Sequence, residues 1–389
     1  MTTSTIDRDT ATADTDTARP GALSASHMQN ILARAPHYRA ASEAPAVAHA
    51  PTVLKLWGGS LTPLMAAAEI TGRLARAALT CPPVACTGLL RMEQGARSKA
   101  WRNVDAIENI FCLEGQLELR YGARLEQTLV LGHFDMVSLP AGVRHEIANT
   151  GTGPVRAVVV LSIPANGSYG AVFGTADADA ALPGLDALGV SFDDQAGVEV
   201  DAETLATRVN RFEKLVPYKK DLNRTGGLPA EATEALSAGS VFTLIVPEGH
   251  VGRSRTAPIY GNQGLYMSLA ECRTGDDAPP AHAHSDTQES FFILDGTFEV
   301  YTGFDNESAI DVGPGDIVSV PKQVMRTFRN TTGKPARILA IIQGGDKMRD
   351  FVSFSRKVGA DFERRFGVET IEAYKQIGMT FDAEERFGL

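Results

Sequence analysis

Short apolar runs follow one another from Pro83 to Pro164: VACTGLLRM, NIFCLEG, QLELRYG, QTLVLG, DMVSLP and RAVVVLS, with Gly, Asn and Pro turns between them. Runs of this length bounded by turn residues predict strands, and their even spacing predicts a barrel or sandwich. A second set, SVFTLIV, LYMSLAE, SFFILDG, TFEVYTG, DIVSVP and ARILAIIQ, repeats the pattern downstream. Between the sets, residues 166–238 turn Ala/Asp-rich and include AETLATRVNRFEKLV, whose apolar residues recur at helical spacing. They predict a partly helical connecting segment. Residues 346–389 predict a helical C-terminal extension, with Phe351, Phe354, Val358, Phe362 and Phe366 on a stripe that packs on a barrel or a partner subunit. Residues 1–27, rich in Thr and Asp and broken at Pro20 and Gly21, predict a disordered tail. The chain therefore reads as all-β, with β domains at 28–165 and 239–345.

The two domains are copies. Glu289 follows Glu108 by 181 residues, and the same interval separates Gly296 from Gly115, Asp316 from Asp135, Pro321 from Pro140 and Asn330 from Asn149. One gap-free offset over five matched residues marks an internal duplication.

The second copy carries the chemistry. In AHAHSDTQESFFILDG, His282 and His284 stand two apart, so on a strand both imidazoles leave the same face. The polar turn SDTQ reverses the chain and delivers Glu289 at the start of the next strand. Two imidazoles and a carboxylate suit iron(II), manganese, nickel or zinc, with positions left for water, substrate or dioxygen. Burying these groups in an apolar barrel is costly without a metal or mutual pairing, which weighs against a purely structural role.

These residues resemble the first cupin motif: HxH, three or four residues, Glu, six residues, Gly, matched by His282, His284, Glu289 and Gly296. GDIVSVPKQVMRTFRN resembles the second motif, Gly, five residues, PxGxxHxxxN, through Gly315, Pro321 and Asn330. Gln323 stands where that motif has Gly, and Arg326 where it has a fourth ligand, His. The first copy fails the opposite way. It keeps Pro140, Gly142, His145 and Asn149 of the second motif, but only Glu108 and Gly115 of the first. Trp101 and Asn103 occupy the positions of the histidine pair. That site is expected to be metal-free, with Glu108 and His145 as a core pair and Trp101 plugging the cavity.

The resemblance implies two cupin domains, each a double-stranded β-helix or jelly roll, joined in a bicupin that commonly associates as a homo-oligomer. Among such proteins quercetinase-like and gentisate dioxygenase-like enzymes are examples. It implies one divalent metal per chain, iron(II) first and manganese, nickel or zinc as alternatives. The implied activity is a dioxygenase or oxygenase acting on a small phenolic or enolisable substrate. A redox-neutral lyase, decarboxylase or isomerase is the alternative, and a non-catalytic small-molecule-binding bicupin a third. Arg326 has no lone pair to give a metal. Three roles remain open: holding an anionic substrate or an anion formed from dioxygen, pairing with Glu289, or pointing out of the barrel.

Composition narrows the partners. The 389 residues suffice for two domains, and 43% hydrophobic with 22% charged residues is ordinary for a globular chain. A formal net charge of −10 argues against nucleic acid and anionic membranes and leaves a small molecule as the expected partner. The apolar runs stop well short of a membrane span, and the N-terminus lacks a secretory pattern, so a cytoplasmic location is expected. Cys81, Cys86, Cys112 and Cys272 read as structural thiols. His250, RSR (Arg253 to Arg255) and ERRF (Arg364, Arg365) read as groups without a special role.

Overall fold

In the strand Val155–Ser162, Ala157, Val159 and Leu161 point into one core while Val158 and Val160 point into another. Burial on both faces explains why this run and its counterpart Ala336–Gln343 are continuously apolar rather than alternating. The computed structural model describes residues 21–37, 49–217, 228–248, 250, 257–261, 264–275, 277–344 and 351–388. Within them the chain forms two jelly-roll barrels, each a seven-stranded sheet facing a six-stranded one.

The sheets have identical order in both barrels. The N-terminal six-stranded sheet runs Val190–Phe192, Ala171–Phe173, Trp101–Asn103, His145–Asn149, Leu117–Tyr121, Gln127–Leu131. The C-terminal one runs Met379–Thr380, Val352–Phe354, His282–His284, Arg326–Asn330, Phe298–Thr302, Ser308–Val312. The two seven-stranded sheets pack face to face, Leu89, Phe111 and Val158 of one against Met267, Phe292 and Leu339 of the other. No helix among the described residues is long and apolar enough to cross a membrane.

The motif residues that recur at the common offset have structural reasons. Gly115 and Gly296 take φ of 82° and 71°, and a Cβ on Gly296 would lie 2.4 Å from that of Ala336. Asn149 and Asn330 donate to backbone carbonyls on both sides of their turns, Met92 and Gly153 in one copy, Cys272 and Lys334 in the other. Gln323 adopts φ 64°, the left-handed conformation that Gly142 holds at 77° without penalty.

Three segments differ from the sequence expectation. Residues 1–20 lie outside the described residues, but 21–27 belong to the fold rather than to a disordered tail. Ser24 caps the helix Ala25–Asn30, and the following strand, Leu32–Ala33, pairs with Ile317–Val320 of the C-terminal barrel. AETLATRVNRFEKLV is α-helical only over Ala202–Ala206, with a single 3-10 turn at Phe212–Lys214. Between these it forms the strand Val209–Asn210, which pairs with Met136–Leu139 of the N-terminal barrel. The cause is the same in both places. Asp135 accepts from the Phe212 amide and pairs with Arg211; Asp316 accepts from the Ala35 amide at 2.7 Å and pairs with Arg34. Each arm thus lies on the barrel it does not directly precede. Finally, the C-terminal extension is not all helix. Ser355 caps the helix Arg356–Phe366, and Phe354 belongs to the strand Val352–Phe354. Phe351 and Phe354 therefore do not share the helical stripe of Val358, Phe362 and Phe366.

Asp316 also accepts from the Gly313 amide. Asp316→Ala is expected to cost about 1–3 kcal/mol, the penalty for stranding buried donors. Hydrogen exchange should quicken at residues 21–37 and stay unchanged at 201–214; equal protection of the first arm in variant and wild type would refute the docking role.

Candidate metal centre

The strand His282–His284 is short, and both neighbours in its sheet hold it in register. His282 pairs with Arg326 on one side, and residues 282, 283 and 284 pair with Phe354, Ser353 and Val352 on the other. The extension thus supplies the second neighbour of the ligand-bearing strand. Alternation turns both imidazoles into the barrel. In the facing sheet Glu289 lies opposite Val320 and Ile342, so all three face inward.

The predicted trio comes together. One donor atom from each of His282, His284 and Glu289 lies within 4.8 Å of the others. Glu289 Oε2 stands 3.3 Å from His284 Nε2 and 3.9 Å from His282 Nε2. Donors at about 2.1 Å from a shared ion lie roughly 3.0–3.4 Å apart at octahedral or tetrahedral angles, so small side-chain shifts close the set. Each imidazole is oriented from behind. His282 Nδ1 bonds the Pro280 carbonyl at 2.9 Å and His284 Nδ1 the Thr287 hydroxyl at 3.1 Å, which directs both Nε2 atoms inward. Glu289 Oε2 is buried and accepts no well-formed hydrogen bond.

The protonation states suit ligation. Burial holds the His282 imidazole down at about 3, against the pull of Glu289, with His284 and Arg326 adding to the depression. Burial alone would raise the Glu289 carboxyl; His284, Arg326 and His282 outweigh it and bring it down to about 2. A neutral imidazole and a carboxylate are therefore ready to donate without first losing a proton.

Arg326 is fully buried, which removes the outward-pointing alternative. Its Nη2 donates to the Pro321 carbonyl at 2.8 Å, and its Nε lies 3.9 Å from Glu289 Oε2. That separation is too long for a hydrogen bond and leaves an electrostatic contact. Gln323, in the same turn, donates its amide to the His284 carbonyl at 2.7 Å, tying the second motif to the first.

Sequence reasoning missed the surrounding groups. Tyr266 lies opposite Ile342 in register, so it faces into the barrel on the same side as Glu289, and Val246 and Ala257 pack with both. The His250 ring is 5.8 Å from that of Tyr266. Phe354 lies 5.5 Å from His282. Strand alternation marked Tyr266 as inward or outward facing but could not say which. Arg253 to Arg255 lie outside the described residues. Arg364 and Arg365 both pair with Asp361 on an exposed helix, and the four cysteines are buried and unbridged.

The N-terminal counterpart has a different content. Glu108 and His145 do meet, with His145 Nε2 3.4 Å from Glu108 Oε2, and Asn103 Nδ2 donates to that oxygen at 2.8 Å. The main partner is a residue the sequence did not mark. Arg73 Nη2 lies 2.6 Å from Glu108 Oε1, both side chains buried, and its guanidinium sits 5.3 Å from each of the Trp57 and Trp101 rings. Burial opposes ionisation of Glu108, but Arg73 and His145 hold the carboxyl well below its usual range. A guanidinium therefore supplies the positive charge beside the carboxylate that a metal ion would otherwise provide.

The pattern of the cupin domain family matches the chain twice, over residues 88–161 and 268–342. Similar solved structures include a variant of oxalate decarboxylase from Bacillus subtilis, 14% identical over 80% of this chain and 80% of that one, with a TM-score of 0.47. AerE from Microcystis aeruginosa is 13% identical over 67% of this chain and 88% of that one, with a TM-score of 0.41. The 7S globulin of Momordica charantia is 12% identical over 69% and 75%, with a TM-score of 0.44. One description of the oxalate decarboxylase concerns its Mn(II) centres. No curated protein matches the chain.

Proposed function

We propose that this chain, a protein of two cupin domains, is a divalent-metal-dependent enzyme that acts on a small anionic substrate in its C-terminal barrel. His282, His284 and Glu289 are the proposed ligands. The observation that carries the reading is the convergence of three buried donors, the two imidazoles oriented from behind, on a point beside a buried guanidinium. The donor set serves iron, manganese, nickel or zinc, and a divalent ion held there would supply Lewis acidity to a carboxylate or enolate oxygen.

Arg326 is the proposed anchor for substrate charge. The Pro321 carbonyl fixes one edge of its guanidinium. A fixed cation in a dry barrel is worth far more to developing negative charge than one in water. Tyr266, Val246, Ala257 and Ile342 form an apolar wall that excludes water, with one hydroxyl among them.

Of the two chemistries that fit, a redox-neutral lyase, decarboxylase or isomerase is the one the charge distribution favours. A permanent cation 3.9 Å from the ligating carboxylate stabilises a substrate carboxylate or enolate directly, with no change of oxidation state needed at the centre. A dioxygenase acting on a phenolic or enolisable substrate, with iron(II), is the second reading, supported by a three-ligand set that leaves positions for both substrate and dioxygen. Oxygen consumption separates them. Turnover of small carboxylic and phenolic acids that proceeds equally in anaerobic buffer supports the first; stoichiometric oxygen uptake would replace it with the second. Arg326→Gln removes the charge while keeping a donor for Pro321. It is expected to lower kcat/KM about 100-fold at unchanged metal content, as loss of one oriented electrostatic group does elsewhere.

A further inference from the structure

The N-terminal half contains a cavity of about 870 Å³, unconnected with the proposed metal centre. It lies between the first arm, the helix Ala50–Trp57, the strand Ser60–Ala66 and the loop that carries Arg73. Its walls are mostly apolar, with Val53, Leu54, Leu61 and Leu188 among them. The permanently charged groups among the described lining residues are of one sign. Arg34, Arg73 and Arg76 line it together with His37 and His49, and no Asp or Glu is among its described lining residues. In a chain with a net charge of −10 that separation is notable.

Three further features point toward an anion. Arg73 is buried, and its Nε has no hydrogen-bond partner, so its pairing with Glu108 leaves donor capacity on the guanidinium. Arg76 is held at φ 57°, a conformation that a residue with a Cβ enters at a cost, and makes no hydrogen bond or ion pair among the described residues. The eight-residue helix Ala50–Trp57 begins at the cavity with no side-chain cap, so the positive end of its dipole is added to the arginines. His49 is fixed there by packing on Gly184, where a Cβ would fall 1.8 Å from Nδ1.

We propose that this cavity is a second ligand site, for a free monocarboxylate with an extended apolar body. The volume lies in the upper part of the range of small-molecule pockets. The walls take the body, and Arg76 with the helix terminus takes the carboxylate, beside the unpartnered Nε of Arg73. The half that lost its metal ligands has thus kept a binding function of another kind.

Decanoate and decanol, equal in chain length and different in charge, test the idea on the full-length protein by calorimetry. Fluorescence gives a second readout, because both tryptophans of the chain lie on Arg73. Decanoate is expected to bind saturably, one per chain, at least about tenfold more tightly than decanol, a difference of about 1.4 kcal/mol. Arg76→Glu should weaken decanoate at least tenfold with an unchanged melting temperature, and Arg76→Lys should retain it. His282→Ala should leave decanoate binding as it is. Absence of saturable decanoate binding, equal affinity for the alcohol, indifference to Arg76→Glu, or loss in His282→Ala would each overturn the proposal.

Discussion

His282→Ala is expected to lower the divalent-metal affinity of the protein by more than about 100-fold. Changes behind a ligand already cost 10–100-fold, and this one removes a ligand itself. Elemental analysis of protein purified without chelators reads the outcome directly. The His282 imidazole is tied at Nδ1 to the Pro280 carbonyl, and the donor cluster among the described residues contains no third imidazole to replace it. His145→Ala in the other barrel is the matched control. It should leave metal content unchanged, because Arg73 already occupies the electrostatic position beside Glu108. Undiminished metal in His282→Ala, or metal lost in His145→Ala, would remove the basis for placing the centre in the C-terminal half.

Arg73→Met should destabilise the protein by about 3–5 kcal/mol, the usual cost of removing one member of a buried ion pair. Urea unfolding at neutral pH measures it. The Glu108 carboxylate is only 2% exposed, and without the guanidinium its charge has only Asn103 and His145 as compensation. Adding Glu108→Gln to Arg73→Met should recover most of the loss, since replacing both members of a buried pair is often close to neutral. The pH dependence has a definite sign. The folded-state pKa of Glu108 is depressed, so its contribution is fully present above the unfolded carboxyl value of about 4.3 and is lost as pH falls below it. In Arg73→Met burial instead opposes ionisation, so the gap between wild type and variant should narrow in acid. A gap that stays constant from pH 7 to pH 3 would show that Arg73 acts through packing rather than charge.

The sequence carried much of this, for identifiable reasons. His282, His284 and Glu289 were legible because strand alternation and a four-residue turn fix where such side chains point. The duplication was legible because Gly296, Asp316 and Asn330 hold turn and docking geometries that few other residues provide. What escaped was set by contacts distant along the chain. Arg73 reaches Glu108 from a loop ahead of the matched motifs, where no spacing rule applies. Leu32–Ala33 and Val209–Asn210 are two-residue strands, too short to show a period of two. The helical reading of residues 202–216 failed where Asp135 pulls the backbone onto a sheet edge, a tertiary effect that local periodicity does not contain. Burial of Arg326 was equally invisible, because an arginine in a motif position reads the same whether it faces inward or out.

The exchanged arms impose an order on how the chain matures during synthesis. Ala35 leaves the ribosome early, yet its acceptor, Asp316, lies 281 residues later. The N-terminal barrel receives its own edge strand only once residues 209–210 have emerged. The first arm must therefore wait, unpaired, through the making of one whole barrel and most of the next, and its docking closes a loop of 281 residues. A nascent chain stalled before residue 316 holds a finished first barrel and a loose leading segment, the state in which a folding helper or a protease would meet it.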